Sequence, residues 1–102
     1  MMTDENLEQI IKALANPARR EILQWLKQPE QEFTEQPNGF EQGVCVSQIF
    51  AKSGLSQSTV SSHLALMQRT GLLASQRRGQ WVYYQRNEAV IREFAEQIQQ
   101  TL

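Results

Sequence analysis

Two short helical patterns meet at the turn Ser53-Gly54-Leu55, and no Asp or Glu occurs anywhere between Glu41 and Glu88. That window carries Lys52, Arg69, Arg77, Arg78 and Arg86, so its side-chain charge is wholly positive. All eleven acidic residues lie outside it, and a chain of net charge -1 conceals a cationic middle. Evenly spread charge at a pI near 5.8 would argue against nucleic acid. A local field outweighs the sum, and a small polar helix cleared of acid suits a phosphate-lined groove.

The flanking segments follow helical spacing. Leu7, Ile10, Ile11 and Leu14 give a first amphipathic helix over about residues 4–14. Asn16 is a good N-cap and Pro17 suits the first helical position, so a second helix runs to about Lys27 with Ile22, Leu23 and Leu26 inward. Residues 28–43 hold two prolines, two glycines and no helical period. They read as a long loop, pinned by Phe33 and Phe40. The loop is either a partly ordered acidic excursion or a segment that shapes a ligand site or a dimer contact.

Val44 to about Lys52 reads as a short third helix with Val46, Ile49 and Phe50 apolar. Gly54 supplies a positive φ at the turn. Ser56 caps a fourth helix, about residues 56–70, with Val60, Leu64 and Met67 inward, and Gly71 ends it. Leu72–Arg77 and Gln80–Gln85 alternate as two strands across Arg78-Gly79. Asn87 caps a last helix bearing Val90, Ile91, Phe94, Ile98 and Leu102. The expected fold is mainly α with a small β-hairpin, a winged helix-turn-helix in the order α-α-α-α-β-β-α. Residues 1–102 form one domain.

At 102 residues and 40% hydrophobic content, a monomer has a core but little stability in reserve, and a dimer would bury more. A single cysteine, Cys45, rules out an internal disulfide framework and fits a reducing cytoplasm. The stretch Met1-Met2-Thr3-Asp4-Glu5-Asn6 is too acidic and polar for a signal peptide. No apolar run approaches the roughly 20 residues of a membrane span. The expectation is a soluble cytoplasmic protein.

The fourth helix carries the clearest chemistry. Gln57, Ser58, Ser61, Ser62, Gln68 and Arg69 lie opposite its apolar side. Gln pairs bidentately with adenine and Ser bonds base edges or phosphates. Four serines, Ser56, Ser58, Ser61 and Ser62, lower helix propensity where Lys or Glu would serve a plain solvated face better. His63 sits between the two faces, and a phosphate contact or an internal hydrogen bond would each suit it. In the hairpin, Arg77 and Arg78 flank the tip, within reach of phosphates or a minor groove, whereas a solvated basic turn is the plain alternative. Trp81, Val82, Tyr83 and Tyr84 are expected to pack between hairpin and helices.

Taken together, Asn16-Pro17-x-Arg19-Arg20-x-Ile22-Leu23, Val44-Cys45-Val46-Ser47-Gln48-Ile49, Leu55 to Leu64, Gly71-Leu72-Leu73 and Arg78 to Tyr84 resemble the ArsR/SmtB family. The resemblance spans nearly the whole chain. It implies a bacterial winged-helix homodimeric repressor, many members of which release DNA on sensing a metal ion. It implies dimerisation through the first and last helices. It implies DNA contact by Gln57, Ser58, Ser61, Ser62 and His63, with wing residues Arg77 and Arg78 assisting, and Ser56 and Arg69 of the same helix are expected to join them. The apolar stripes of the first and last helices lead to a two-fold dimer, which would read double-stranded DNA at a near-palindromic operator.

The family's metal sites do not carry over. Soft metals need at least two thiolates, and the matching positions here are Cys45 and Ser47. The last helix offers Asn87, Glu88, Glu93 and Glu96 but no histidine for a zinc-type site. No metal or cofactor is expected. Cys45 is either an inert small hydrophobe or a lone thiol sensor at a helix N-terminus. The loop at 28–43 is longer than the family usually has. One His, one Cys and scattered carboxylates assemble no nucleophile–base–orienter set, so an enzyme is not expected. A winged helix used as a protein-interaction module is the alternative to a sequence-specific repressor.

Overall fold

A computed structural model describes residues 2–102, so Met1 of the polar leading segment lies outside the described residues. The order is α1 (Asp4–Leu14), α2 (Pro17–Lys27), α3 (Pro29–Glu32), β1 (Val44–Cys45), α4 (Val46–Ser53), α5 (Gln57–Arg69), β2 (Leu73–Arg78), β3 (Trp81–Arg86) and α6 (Glu88–Thr101). The fold is the expected mainly helical winged helix-turn-helix, with one more strand and one more helical turn than the sequence pattern shows.

The helix boundaries follow local chemistry. Thr3, Asn16, Ser56 and Asn87 each accept a hydrogen bond from a backbone N–H three residues on, satisfying a donor that the helix leaves orphaned. Gly54 closes α4 at φ 70°, a left-handed conformation that lets α4 turn into α5 within three residues.

Ile10, Ala13, Ile22, Leu23, Leu26, Val44, Ile49, Val60, Leu64, Met67, Leu72 and Leu73 form the core between α1, α2, α4, α5 and the sheet. Phe33 and Phe40 pack against it from the long loop, as expected. Phe50 does not. It is 38% exposed, because α4 is only two turns long and buries Ile49 instead.

Val44 and Cys45 correct the expected third helix. They form an edge strand paired antiparallel with Tyr84 and Tyr83, and the helix begins at Val46. The sheet is therefore three-stranded, in the order β1-β3-β2. Gly43 makes the entry possible, because a Cβ there would lie 2.3 Å from the Tyr84 carbonyl oxygen. The hairpin is shifted by one residue from the expected one, with Arg78 paired to Trp81 and Gly79-Gln80 at the tip.

Candidate nucleic-acid interface

α5 buries Val60, Leu64 and Met67 almost completely, at 1%, 0% and 0% exposure. This fixes the helix about its axis and leaves Gln57, Ser58, Ser61 and Ser62 exposed on its first two turns. Ser56 plays a different part. Its hydroxyl accepts from the Thr59 N–H at 3.2 Å and donates to Thr59 Oγ1 at 2.7 Å, so it is spent on starting the helix.

His63 is held from the side. Arg19 Nη1 lies 3.2 Å from His63 Nδ1. Arginine has only donors, so Nδ1 accepts and the ring proton of the neutral imidazole sits on Nε2. Burial first, and then the Arg19 charge, lower the His63 pKa below its ordinary 6.5. The internal hydrogen bond occupies Nδ1 alone.

Arg19 also donates through Nε to Ala13 O at 2.7 Å and through Nη2 to Lys12 O at 3.3 Å, while Arg20 donates to Leu14 O. The two arginines thus satisfy the Ala13 and Leu14 carbonyls at the end of α1, add to the Ala15 N–H on Lys12 O, and lock α1 to α2. Arg19 then carries that lock to the middle of α5. The sequence reading missed this role. Its signal was present: two arginines in the first turn after a helix end, where cations meet the negative pole of the preceding helix.

The acid-free window breaks up in space. Lys52 forms an ion pair with Glu32 at 3.3 Å and sits over the Trp25 and Phe33 rings at 5.2 and 5.8 Å. Arg86 is bound by Glu88 at 2.7 and 3.2 Å and donates to Leu23 O at 3.1 Å. That grip is the first cause of a lowered Glu88 pKa. Arg69, Arg77 and Arg78 are the cations of the window left without such partners among the described residues. Arg69 is set apart from the other two. Twelve residues along α5 from Gln57, it lies about 18 Å from the start of the helix. There it joins Lys12 and Arg19 around a surface hollow of about 540 Å³.

The wing separates its two arginines. Directly opposed residues in an antiparallel pair share a face, and faces alternate along each strand. Arg77 pairs with Val82, on the face that carries Leu73, Val44 and Tyr84 to the core. Arg78 pairs with Trp81, on the outer face with Tyr83 and Cys45. Trp81 corrects the expectation of four packed wing residues. It is 48% exposed, while Tyr83 is buried at 7% and Tyr84 half-buried.

Cys45 is buried at the start of α4, and Ser47 Oγ donates to its Sγ at 3.3 Å. The matching pair thus presents one thiol and one hydroxyl, already engaged with each other. Above it the long loop is tied down by two amides that the sequence reading did not single out. Gln36 Oε1 accepts from Cys45 N at 3.1 Å and from Gln48 Nε2 at 3.0 Å, and its Nε2 donates to Gly39 O and Gly43 O. Gln48 closes the tie to Thr34 at 2.9 and 3.1 Å. No local pattern marks glutamines for such a role.

Residues 40–75 match the model of the bacterial regulatory protein, arsR family. The chain is 42% identical over 91 residues to YbzH, an uncharacterized HTH-type transcriptional regulator of Bacillus subtilis, covering 86% of this chain and 90% of that one. An ArsR-like transcriptional regulator from Rhodococcus shares the fold, with a TM-score of 0.72 at 21% identity over 94% of this chain and 78% of that one. The homodimeric winged helix-turn-helix DNA-binding domain of a possible ArsR-family regulator from Mycobacterium bovis gives a TM-score of 0.66 at 28% identity, over 93% and 82%. Helix-turn-helix, wing, family model and a near full-length relative agree: this chain belongs to the ArsR family of winged helix-turn-helix, DNA-binding transcriptional regulators and is not an enzyme.

Proposed function

We propose that the protein is a homodimeric cytoplasmic repressor that reads a near-palindromic operator. The exposed amide and hydroxyl row on the first two turns of α5 carries this reading. Gln57, Ser58, Ser61 and Ser62 face the major groove, with Gln57 and Ser61 on base edges. The N–H groups at the start of α5 and the Nε2–H of His63 suit flanking phosphates, as do Arg77 and Arg78 of the wing. Arg69 meets a phosphate farther along the duplex, beside Lys12.

Dimerisation is supported by apolar surface that one chain leaves open. α6 has no buried residue, and its Val90, Ile91, Phe94 and Ile98 are only half-covered. Ile11 of α1 is 40% exposed and Leu102 98% exposed. A two-fold axis between α1 and α6 would cover these residues and place two α5 helices about one duplex turn apart. No helix among the described residues is long and apolar enough to cross a membrane. The test is selection of binding sites from random duplexes, followed by gel shift and a reporter assay. A palindromic consensus that silences the reporter supports the reading, and unselective binding to all duplexes rejects it.

A further inference from the structure

The outer face of the sheet does not belong to the core or to the dimer surface. With the 34–38 loop it encloses a cleft of about 460 Å³, reaching from Cys45 to Trp81 and Arg78. That is within the size range of small-molecule sites. Cys45 and Tyr83 form its inner end, and both are buried without joining the core cluster. Trp81 forms its outer wall and stays 48% exposed.

The polar groups at the cleft narrow the chemistry of an occupant. The amides of Gln36 and Gln48 are consumed by each other, by Thr34 and by backbone. The Tyr83 hydroxyl has no hydrogen-bond partner among the described residues. Arg78 has none there either, although its cross-strand neighbour is the Trp81 ring. Glu35 is the one acid at the cleft, and no ion pair joins it to Arg78. An aromatic wall, an unpaired guanidinium and a free phenol select a flat ring bearing a carboxylate. The ring stacks on Trp81, and the carboxylate takes the bidentate fork of Arg78.

We propose that this cleft binds small aromatic carboxylic acids and that the bound acid weakens DNA binding by occupying Arg78. The binding half stands on the cleft alone, whereas the DNA half rests on the wing contact proposed above. Coupling follows from competition: an arginine fork closed on a carboxylate is withdrawn from phosphate, and the two ligands weaken each other by the same factor.

Calorimetric titration of the full chain with 1-naphthoate and indole-3-carboxylate tests the site, with 1-naphthylmethanol and 1-naphthylmethylamine as neutral and cationic controls. The acids are expected to bind with a Kd of roughly 0.1–1 mM, an ordinary affinity for ligands of this size. They should shift the Trp81 indole N–H resonance in an amide correlation spectrum. Arg78→Gln should weaken the acids about tenfold, a loss typical of one charge-assisted contact, and leave the alcohol unchanged. Glu35→Gln should strengthen the acids. Absence of acid binding, equal binding of acid and alcohol, or preference for the amine overturns the site.

Saturating naphthoate should weaken operator binding severalfold in the wild type and not in Arg78→Gln. If the acids bind as described and operator affinity does not move, the coupling is wrong and the site stands. If no acid binds while Arg78→Gln still weakens DNA binding, the site is wrong and the wing contact stands.

Discussion

Arg19 Nη1 meets His63 Nδ1 at 3.2 Å, so an arginine that closes the end of α1 also fixes an imidazole in the middle of α5. The contact exists only while Nδ1 is unprotonated, because two N–H groups cannot bond each other. The folded state therefore disfavours the imidazolium, and the His63 pKa lies below 6.5. The unfolded chain binds this proton more readily, so the stability contributed by neutral His63 is present above pH 6.5 and declines as pH falls through the lowered folded value. Urea midpoints measured from about pH 8 to 5 should fall on the acid side. His63→Gln, with an acceptor and no titration, should flatten that segment of the curve.

Base reading and phosphate attraction separate by mutation. Gln57→Ala and Ser61→Ala should each cost about 1–3 kcal/mol of specific binding per half-site while leaving random-sequence affinity nearly intact. Arg77→Ala should weaken every duplex and reduce the slope of log affinity against log salt by roughly 0.9 per phosphate no longer neutralised. Lys52→Ala should leave that slope unchanged, because Glu32 and two aromatic rings already hold its ammonium. Gel shifts at several salt concentrations read all four variants. Equal loss of specific and random binding in Gln57→Ala would remove α5 as the reading helix.

The uncovered stripe of α6 predicts its own failure. Phe94→Glu places a carboxylate in the half-buried apolar surface next to Val90 and Ile91. Sedimentation at micromolar concentration should then show a dimer for the wild type and a monomer for the variant. Operator affinity should fall by more than about tenfold, since one half-site cannot supply the binding of two.

Cys45 is buried at the inner end of the outer-face cleft, and its Sγ accepts a hydrogen bond from Ser47. Native protein should react with a maleimide far more slowly than protein in urea, and Cys45→Ser should match the wild type in operator affinity with and without peroxide. Loss of binding in the wild type alone would instead establish a thiol switch at this position.

Much of the fold was legible because its signals are local. Caps at Asn16, Ser56 and Asn87, a left-handed glycine at Gly54 and apolar residues at helical spacing each act within one or two turns. Local chemistry alone determines them, and the row Gln57, Ser58, Ser61 and Ser62 follows once Val60, Leu64 and Met67 are turned inward. Val44 and Cys45 show the limit. Two residues are too few to display a period, and their strand is decided by Tyr83 and Tyr84 from across the chain.

Charge shows the same division. From the sequence, residues 42–87 are free of acid, but distance along a chain is not distance in space. Folding brings Glu32 to Lys52 and removes that cation from the surface field. It turns Arg77 and Arg78 to opposite faces of one hairpin, since strand neighbours alternate sides whatever their charge. Residue types and local elements were determined by the sequence by itself. Which cations stay unpaired, which aromatic stays open and which amides hold the long loop were decided by tertiary contacts, because partners from distant segments meet only in the folded chain.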